Sequence, residues 1–524
     1  MKKQLLLLAM ILLPMVASAY DIAVANADGV TIYYNYINNG NELEVTFRDY
    51  SVENRYNGII NIPEEVAYNG MTLKVTAIGP LAFRYCALTS VSIPFSVKEI
   101  GTSAFEDCGR LTSIVLPNSI GYYPDTFHYT TAEEVKIIIT DFAASCNGSI
   151  RNIQKNLCSG EQGPILIDKD GNEITEYIIP DSVTSISEHA FAYCGGLTSV
   201  TIGNNVTSIG ESAFYKCKSM SSLTIGNSVK TIKDGAFGHC ENLTSILVFG
   251  SPDYIGESIF NQSYNINEVT FDCEKVASLF HNTSVKKITM TDKVTSIGWS
   301  AFKECYELAS ITIPNSVIEI GFYAFEWCRK LSSVTFGNSV TSLGQCAFRG
   351  CVGLTSITIP GTIKTIGNSA FEGCNSLTSV TINDGVSNIG SKAFYNCRKL
   401  SSSIFFPSSI KSIDGKAFEG VVLDTIYLAT QNPPEIREKS DSWSTFDTWH
   451  YPAYLYVPAG TIDKYKATKG WKDFVYIKEG NPTRINTVEN IKNNNTTIYD
   501  LNGVRQSEPQ KGINIINGKK YVKK

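Results

Sequence analysis

Apolar residues recur along the chain in one short arrangement. In the stretch Leu354 to Cys374 they stand at Leu354, Ile357 and Ile359, then at Ile363 and Ile366, then at Ala370, Phe371 and Cys374. Thr358 separates two apolar neighbours, the alternation of a half-buried strand whose side chains face opposite sides in turn. Pro360-Gly361 turns the chain, Ile363 to Gly367 is a second extended piece, and Asn368 to Phe371 reads as one helical turn closing the unit. Leu197 to Cys217 repeats the same order of apolar and polar positions.

The phenylalanine of each closing turn marks the register. It recurs at Phe83, Phe105, Phe191, Phe214, Phe237, Phe302, Phe325, Phe348, Phe371, Phe394 and Phe418, with most neighbours 22 or 23 residues apart. A single unit of this size cannot bury its own apolar edge, so units of fixed period stack on one another. The spacing L-x-x-I-x-I in each first strand is that of a leucine-rich repeat. The expected fold is mainly β: a leucine-rich-repeat solenoid of ~22–23-residue coils with short helical turns, capped at both ends.

Two stretches drift from the pattern. Residues 120–180 keep Phe127 in register and then contain "ILIDKDGNEITEYII", which reads as a hairpin turning at Asp170-Gly171. Residues 249–290 keep only Phe260 and Phe280 as register marks. Insertions in solenoids tend to emerge on one face, where they can carry specificity.

The flanks complete a division into segments. Residues 1–19 begin Met1-Lys2-Lys3, continue through an apolar run from Leu5 to Leu13 and end in Ala17-Ser18-Ala19, the form of a secretory signal peptide. Residues 20–74 carry alternating segments around Asn39-Gly40-Asn41 and are expected to form an N-terminal β cap. The solenoid proper is expected over 75–430, a C-terminal cap over 431–480, a polar linker over 481–496, and a β tail over 497–524. No stretch approaches the ~20 apolar residues of a membrane helix, so the exported chain is expected at the cell surface or outside the cell.

Charge and composition narrow the function. The formal charge is −5, and it becomes −7 once Lys2 and Lys3 leave with the leader, so nucleic acid is not an expected partner. No Gly-x-Ser-x-Gly occurs, the five histidines are scattered, and no phosphate loop or metal spacing is found, so neither an enzyme nor a cofactor is expected. Asp168-Lys169-Asp170-Gly171 has its glycine too early for a calcium loop and fits a turn.

Of fourteen cysteines, ten occupy one repeat position, three residues after the phenylalanine: Cys86, Cys108, Cys194, Cys217, Cys240, Cys305, Cys328, Cys351, Cys374 and Cys397. A small apolar residue suffices there, which favours a ladder of buried thiols over disulfides between coils, because parallel Cβ vectors oppose the disulfide dihedral. Zinc would want paired cysteine spacing that is absent. Cys146, Cys158, Cys273 and Cys346 stand outside the ladder.

The pattern L-T-S-[VI]-x-[IF]-[PG]-x-x-V-x-x-I-G-x-x-A-F-x-x-C, running from Val75 to Thr430, resembles the BspA-like leucine-rich repeats of bacterial cell-surface proteins. That resemblance implies an adhesin-like protein whose partners are extracellular proteins or glycoproteins of a host or neighbouring cell. The segment Leu423 to Glu479, with Trp443, Trp449 and Trp471, is similar to the C-terminal cap of the same family. The end of the chain is similar to the sorting tails of type IX-secreted proteins in Ile498-Tyr499-Asp500-Leu501-Asn502-Gly503, Gly512-Ile513 and Asn517-Gly518-Lys519-Lys520, although Asn514 stands where that pattern carries an aromatic residue. Its alternative is a small β addition that docks on a neighbour.

The two residues between each phenylalanine and the cysteine are expected to face outward. They include Tyr85, Tyr193, Tyr215, Trp327 and Tyr395, interspersed with charges such as Glu326, Arg349 and Glu372. These aromatic residues are the candidate binding site, since exposed Tyr and Trp are enriched at interaction hot spots. The opposite reading has the rings lying flat and shielding neighbouring coils. The other candidate surface is the strand face of Thr312, Thr335, Thr358 and Thr381. A second function class remains open, an exported hydrolase or a glycan-binding protein with its site in the irregular stretches or in the C-terminal cap, whose tryptophans serve either a glycan or the core.

Overall fold

The computed structural model describes residues 19–49, 51, 55–118, 120–122, 125–130, 132, 134–139, 141–147, 163–400, 403–437, 445–446 and 452–480, with the backbone of short strands at 486–487, 498–499, 505–506, 512–516 and 519–523. Residues 1–18 of the proposed leader, Cys158, Trp443 and Trp449 lie outside the described residues. The fold is a mainly β solenoid with about 3% helix and about 16 turns at a spacing near 23 residues. It divides into two compact units, Met1–Leu308 and Ala309–Lys524.

In the first unit, strands Ala87–Ser92, Ser113–Pro117 and Glu134–Ile138 follow Asn57–Asn61 in one parallel sheet that ends on Ile165–Ile167. A second parallel sheet runs from Glu176–Ile178 through Ser199–Thr201, Ser222–Ile225, Ser245–Val248 and Glu268–Phe271 to Lys287–Met290. The register is strict: Val200 faces Leu223 and Ile246 faces Val269, so apolar residues of one column meet in the core. Before the first coils, Ile22–Ala25, Thr31–Ile37 and Glu42–Thr46 pair antiparallel, and Glu42–Thr46 then pairs parallel with Met71–Ile78.

The second unit stacks in the same manner, with Ser356–Ile359 on Ser379–Ile382 and Ser403–Phe406 on Thr425–Leu428. Tyr454–Val457 and Tyr476–Glu479 extend that last sheet in parallel. Short second strands make their own ladder, from Glu319–Ile320 through Ser342–Leu343, Thr365–Ile366, Asn388–Ile389 and Ser412–Asp414 to Glu435–Arg437. A glycine follows most of these second strands and permits close approach: a Cβ on Gly367 would stand 2.6 Å from the Leu343 carbonyl oxygen.

The phenylalanines form a column of parallel rings. Phe348 and Phe371 are 5.5 Å apart between ring centroids with 2° between planes, and Phe371 and Phe394 are 5.4 Å apart with 7°. Offset ring pairs add to burial, by roughly 0.5–1.5 kcal/mol each. Phe446 continues the column beyond Phe418, and Trp471 and Phe474 close it. In the first unit Phe127 stacks on Phe105, after which Tyr177 stands edge-on against Phe191, where the column resumes.

A second ladder follows from the L-T-S motif. The Thr198 hydroxyl donates to the Thr175 carbonyl at 3.1 Å, Thr244 to Ser221 at 3.1 Å, and Thr378 to Thr355 at 3.0 Å. Each hydroxyl adds a second bond to a carbonyl of the preceding coil that already accepts the same threonine's amide, which ties the coils together just before the strand ladder begins.

The irregular stretches also find places. Asp168 anchors the expected hairpin turn by accepting from the amides of Asp170 and Asn172, while Ile174 donates to the Leu166 carbonyl. In the other stretch Phe260 and Phe280 join the column, 5.1 Å apart, although the chain between them is three residues short of the common 23.

Candidate functional site

The closing turn of each coil repeats one backbone scheme. In most coils two residues, the second before and the second after the phenylalanine, adopt left-handed backbone: Tyr323 and Trp327 have φ of 58° and 60° around Phe325, and Ser369 and Gly373 have 54° and 71° around Phe371. This rotates alternate amides along the stack. The Phe348 amide donates to the Ala370 carbonyl of the next coil at 2.8 Å, and those of Cys346 and Gly350 donate to Asn368 and Glu372. The amides between them close local turns, as Arg349 does on Cys346.

The position three residues after the phenylalanine carries a side-chain donor. Cys217, Cys351, Cys374 and Cys397 place Sγ 3.1–3.3 Å from the carbonyl oxygen of the phenylalanine one coil earlier. Ser263 in the same column does so with its hydroxyl, to Phe237. Burial pushes the thiols of Cys217, Cys305 and Cys397 up to about 12, and those of Cys240, Cys351 and Cys374 well above the usual thiol range. Such thiols are poor nucleophiles and poor metal ligands, because both tasks need the thiolate. Most of the column thus carries a small hydrogen-bond donor, although Val421, buried at the same position after Phe418, shows that a small apolar residue also fits.

The aromatic candidates lie along this turn edge. Tyr193 and Tyr215 meet edge to face at 5.6 Å, Tyr215 meets His239 at 5.0 Å, and the Lys216 ammonium lies 5.1 Å over the Tyr193 ring. Trp327, 37% exposed, lies against Gly350 of the next coil, where a Cβ would come within 2.3 Å of the indole. Tyr395 has the Lys392 ammonium 5.4 Å over its ring. Tyr85, 44% exposed, is flanked by Arg84 and Arg55 at 4.6 and 5.1 Å, and lines a cavity of about 110 Å³ with Phe47, Asp49 and Tyr56. The rings both lean on adjacent coils and keep open faces, so packing and exposure coexist at each.

One expected outward residue is not outward. Glu326 is only 1% exposed and pairs with the Arg349 guanidinium of the next coil. Ala192, at the same position, is also buried. Burial at this position therefore varies from coil to coil, since Tyr215 and Tyr395 stand at the same place and are half-buried, a difference that alternation around the phenylalanine did not reveal. The threonine face is open too: Thr312 faces Thr335 and Thr358 faces Thr381 in register.

Trp471 is fully buried, with its indole N–H donating to the Pro434 carbonyl at 2.8 Å, so it serves the core and offers no face to a sugar. Among the described residues no group of His, Cys, Asp or Glu gathers in a way that would hold a metal ion. Also among them, no helix is long and apolar enough to cross a membrane.

The family model for the BspA type leucine rich repeat region matches residues 67–157, 169–279, 274–401 and 318–440, in 6 copies. No curated protein matches the chain. Solved structures that resemble it include a leucine-rich repeat protein from Bacteroides ovatus, 22% identical, with 88% of this chain and 100% of that one covered and a TM-score of 0.44. A leucine rich cell surface protein from Faecalibacterium prausnitzii is 23% identical, with 82% and 98% covered and a TM-score of 0.27. The pneumococcal vaccine antigen PcpA is 17% identical, with 88% and 100% covered and a TM-score of 0.29. Leucine-rich-repeat solenoids of this kind are generally binding scaffolds without catalytic activity, and with its model covering well over half of the sequence, the chain belongs to the BspA-type leucine-rich-repeat family of surface proteins.

Proposed function

We propose that the chain is exported, by the leader at 1–19, to the cell surface or beyond it, and there binds extracellular proteins or glycoproteins of a host or neighbouring cell through its turn edge. The tail at 497–524 is read as its sorting signal. The observation that carries the binding surface is the backbone under Tyr193 and Trp327, with φ of 62° and 60°. Left-handed backbone costs a bulky L-residue roughly 1–2 kcal/mol, and Gly350 and Gly373 fill the same position in other coils without that cost. Large aromatic side chains kept there at an energetic disadvantage, partly exposed and with cations beside them, fit an anchor for a protein partner.

The test is a panel of immobilised extracellular-matrix and serum glycoproteins probed with the chain lacking residues 1–19. Replacing Tyr193, Tyr215 and Trp327 together by Ser should weaken binding by about tenfold or more with little change in melting. Unchanged binding would move the surface to Thr312, Thr335, Thr358 and Thr381. Loss of stability in step with loss of binding would assign the rings to coil shielding.

A further inference from the structure

The shortened coil around Phe280 opens the stack. Between Phe271 and Val276 the chain takes five steps where Ile313 to Ile320 takes seven, so the second strand Lys275–Val276 does not reach Tyr254–Ile255. The ladder of second strands ends at Tyr254–Ile255 and starts again at Lys275–Val276 with Ser296–Ile297. The turn ladder stops at the same joint. Among the described residues the amides of Ser258, Phe260 and Gln262 find no carbonyl in the following coil, whereas one coil earlier Gly235, Phe237 and His239 donate to Glu257, Ile259 and Asn261.

Two clefts flank the displaced turn, of about 550 and 600 Å³, and they meet at Phe260, Asn261, Asn282 and Thr283, which line both. The lining includes the residues whose amides are left without a partner. One arm carries Trp299, 68% exposed, and the other carries Tyr264, 60% exposed, beside Tyr306. The middle is furnished by the amide side chains of Asn261 and Asn282, with Gln262 beside it on the Tyr264 arm, where its Oε1 accepts from the Tyr264 hydroxyl. Charges cancel on each arm: Glu257 with Lys303, and Glu307 with Lys286.

We infer that this groove binds a neutral oligosaccharide, with Trp299 and Tyr264 each receiving the apolar face of a sugar ring and the amides between them meeting its hydroxyls. A sugar hydroxyl both donates and accepts, as does a carboxamide, so Asn261, Gln262 and Asn282 match it without a charged partner. Aromatic rings with open faces suit a pyranose, whose C–H face is apolar while its rim is polar. The cancelled charges disfavour an anionic or cationic ligand. The groove lies on the opposite side of Cys240 from Tyr193 and Tyr215 in sequence and shares no residue with them, so it is a site additional to the proposed protein-binding edge.

The experiment titrates the chain lacking residues 1–19 with four neutral hexasaccharides, of β-1,4-glucose, α-1,4-glucose, β-1,4-xylose and β-1,4-N-acetylglucosamine. Tryptophan fluorescence and saturation-transfer NMR are the readouts, with an extended uncharged peptide as comparison. At least one sugar should bind in the millimolar range or tighter, and Trp299→Ala and Tyr264→Ala should each weaken it by about tenfold. Both side chains are exposed, so the variants keep their fold, which melting checks. The triple variant at Tyr193, Tyr215 and Trp327 should bind the sugar unchanged. No binding by any of the four, binding that survives both single substitutions, or binding of the peptide alone would overturn the inference.

Discussion

The Ser263 hydroxyl donates to the carbonyl of Phe237, one coil earlier, at 3.0 Å. Cys240 does the same to Phe214 with a thiol at 3.3 Å, so at these coils the side chain is held by a hydrogen bond as well as by its size. Cys374→Ser should therefore hold stability better than Cys374→Ala, which loses the bond and should cost about 1 kcal/mol. Chemical denaturation of the two variants decides it: equal or better stability of the alanine variant would reduce the column to a question of size.

The raised thiols link stability to alkaline pH. A thiol whose native value is pushed from 9.0 up to about 12 holds its proton in the fold and releases it more readily when unfolded. Its contribution is complete below pH 9 and fades as pH rises towards 12. The denaturation midpoint should thus fall steadily above pH 9, less steeply in Cys217→Ser with Cys397→Ser. At neutral pH these cysteines should resist alkylation in the native protein and react fully once it is denatured without reductant. Mass spectrometry that found successive coils cross-linked would refute the thiol ladder.

Phe348 stacks on Phe325 at 5.0 Å and on Phe371 at 5.5 Å. Phe348→Ala should cost roughly 3–5 kcal/mol, as large-to-small core changes do. In a stack of nearest neighbours the damage should be concentrated in adjacent coils. Hydrogen exchange should show protection lost around Phe325 and Phe371 before it is lost around Tyr177.

Gly350 is constrained twice, by φ of 71° and by the indole of Trp327. Gly350→Ala should displace that ring and destabilise the coil by about 1–2 kcal/mol. The red shift of Trp327 emission as the ring moves into water is the direct measurement, and an unshifted spectrum with unchanged stability would place the ring elsewhere.

The coils were legible because their marker is a large residue in one column: Phe214 or Phe371 can be read off the chain by eye, and burial demands it. The donors were hidden because Cys and Ser look like tolerated small residues until the carbonyl they face is known. The left-handed positions had a trace in Gly350, Gly373 and Asn396, three residues that favour such backbone, yet Tyr193 and Trp327 in the same column masked it. Glu326 was misplaced because burial at its position varies from coil to coil. The short interval between Phe260 and Phe280 was visible as a number, but the cleft it opens depends on which hydrogen bonds the missing residues would have made.

That same joint has a mechanical meaning. Force applied across the Phe260 and Phe280 coils is carried by a single strand pair, Ser245–Val248 on Glu268–Phe271, and by bonds that include the Ser251 hydroxyl, which donates to the Lys275 carbonyl at 2.6 Å and accepts from the Lys275 amide at 3.3 Å. The three joints on its N-terminal side, from the Phe191 coil to the Phe260 coil, each carry a second strand pair and three turn amides besides. Pulled along the run of coils from Phe191 to Phe280, the stack should part here before its other joints in that run, so it has a built-in weak link beside a groove, and the coils from Phe191 to Phe260 would stay folded while the break takes up the load.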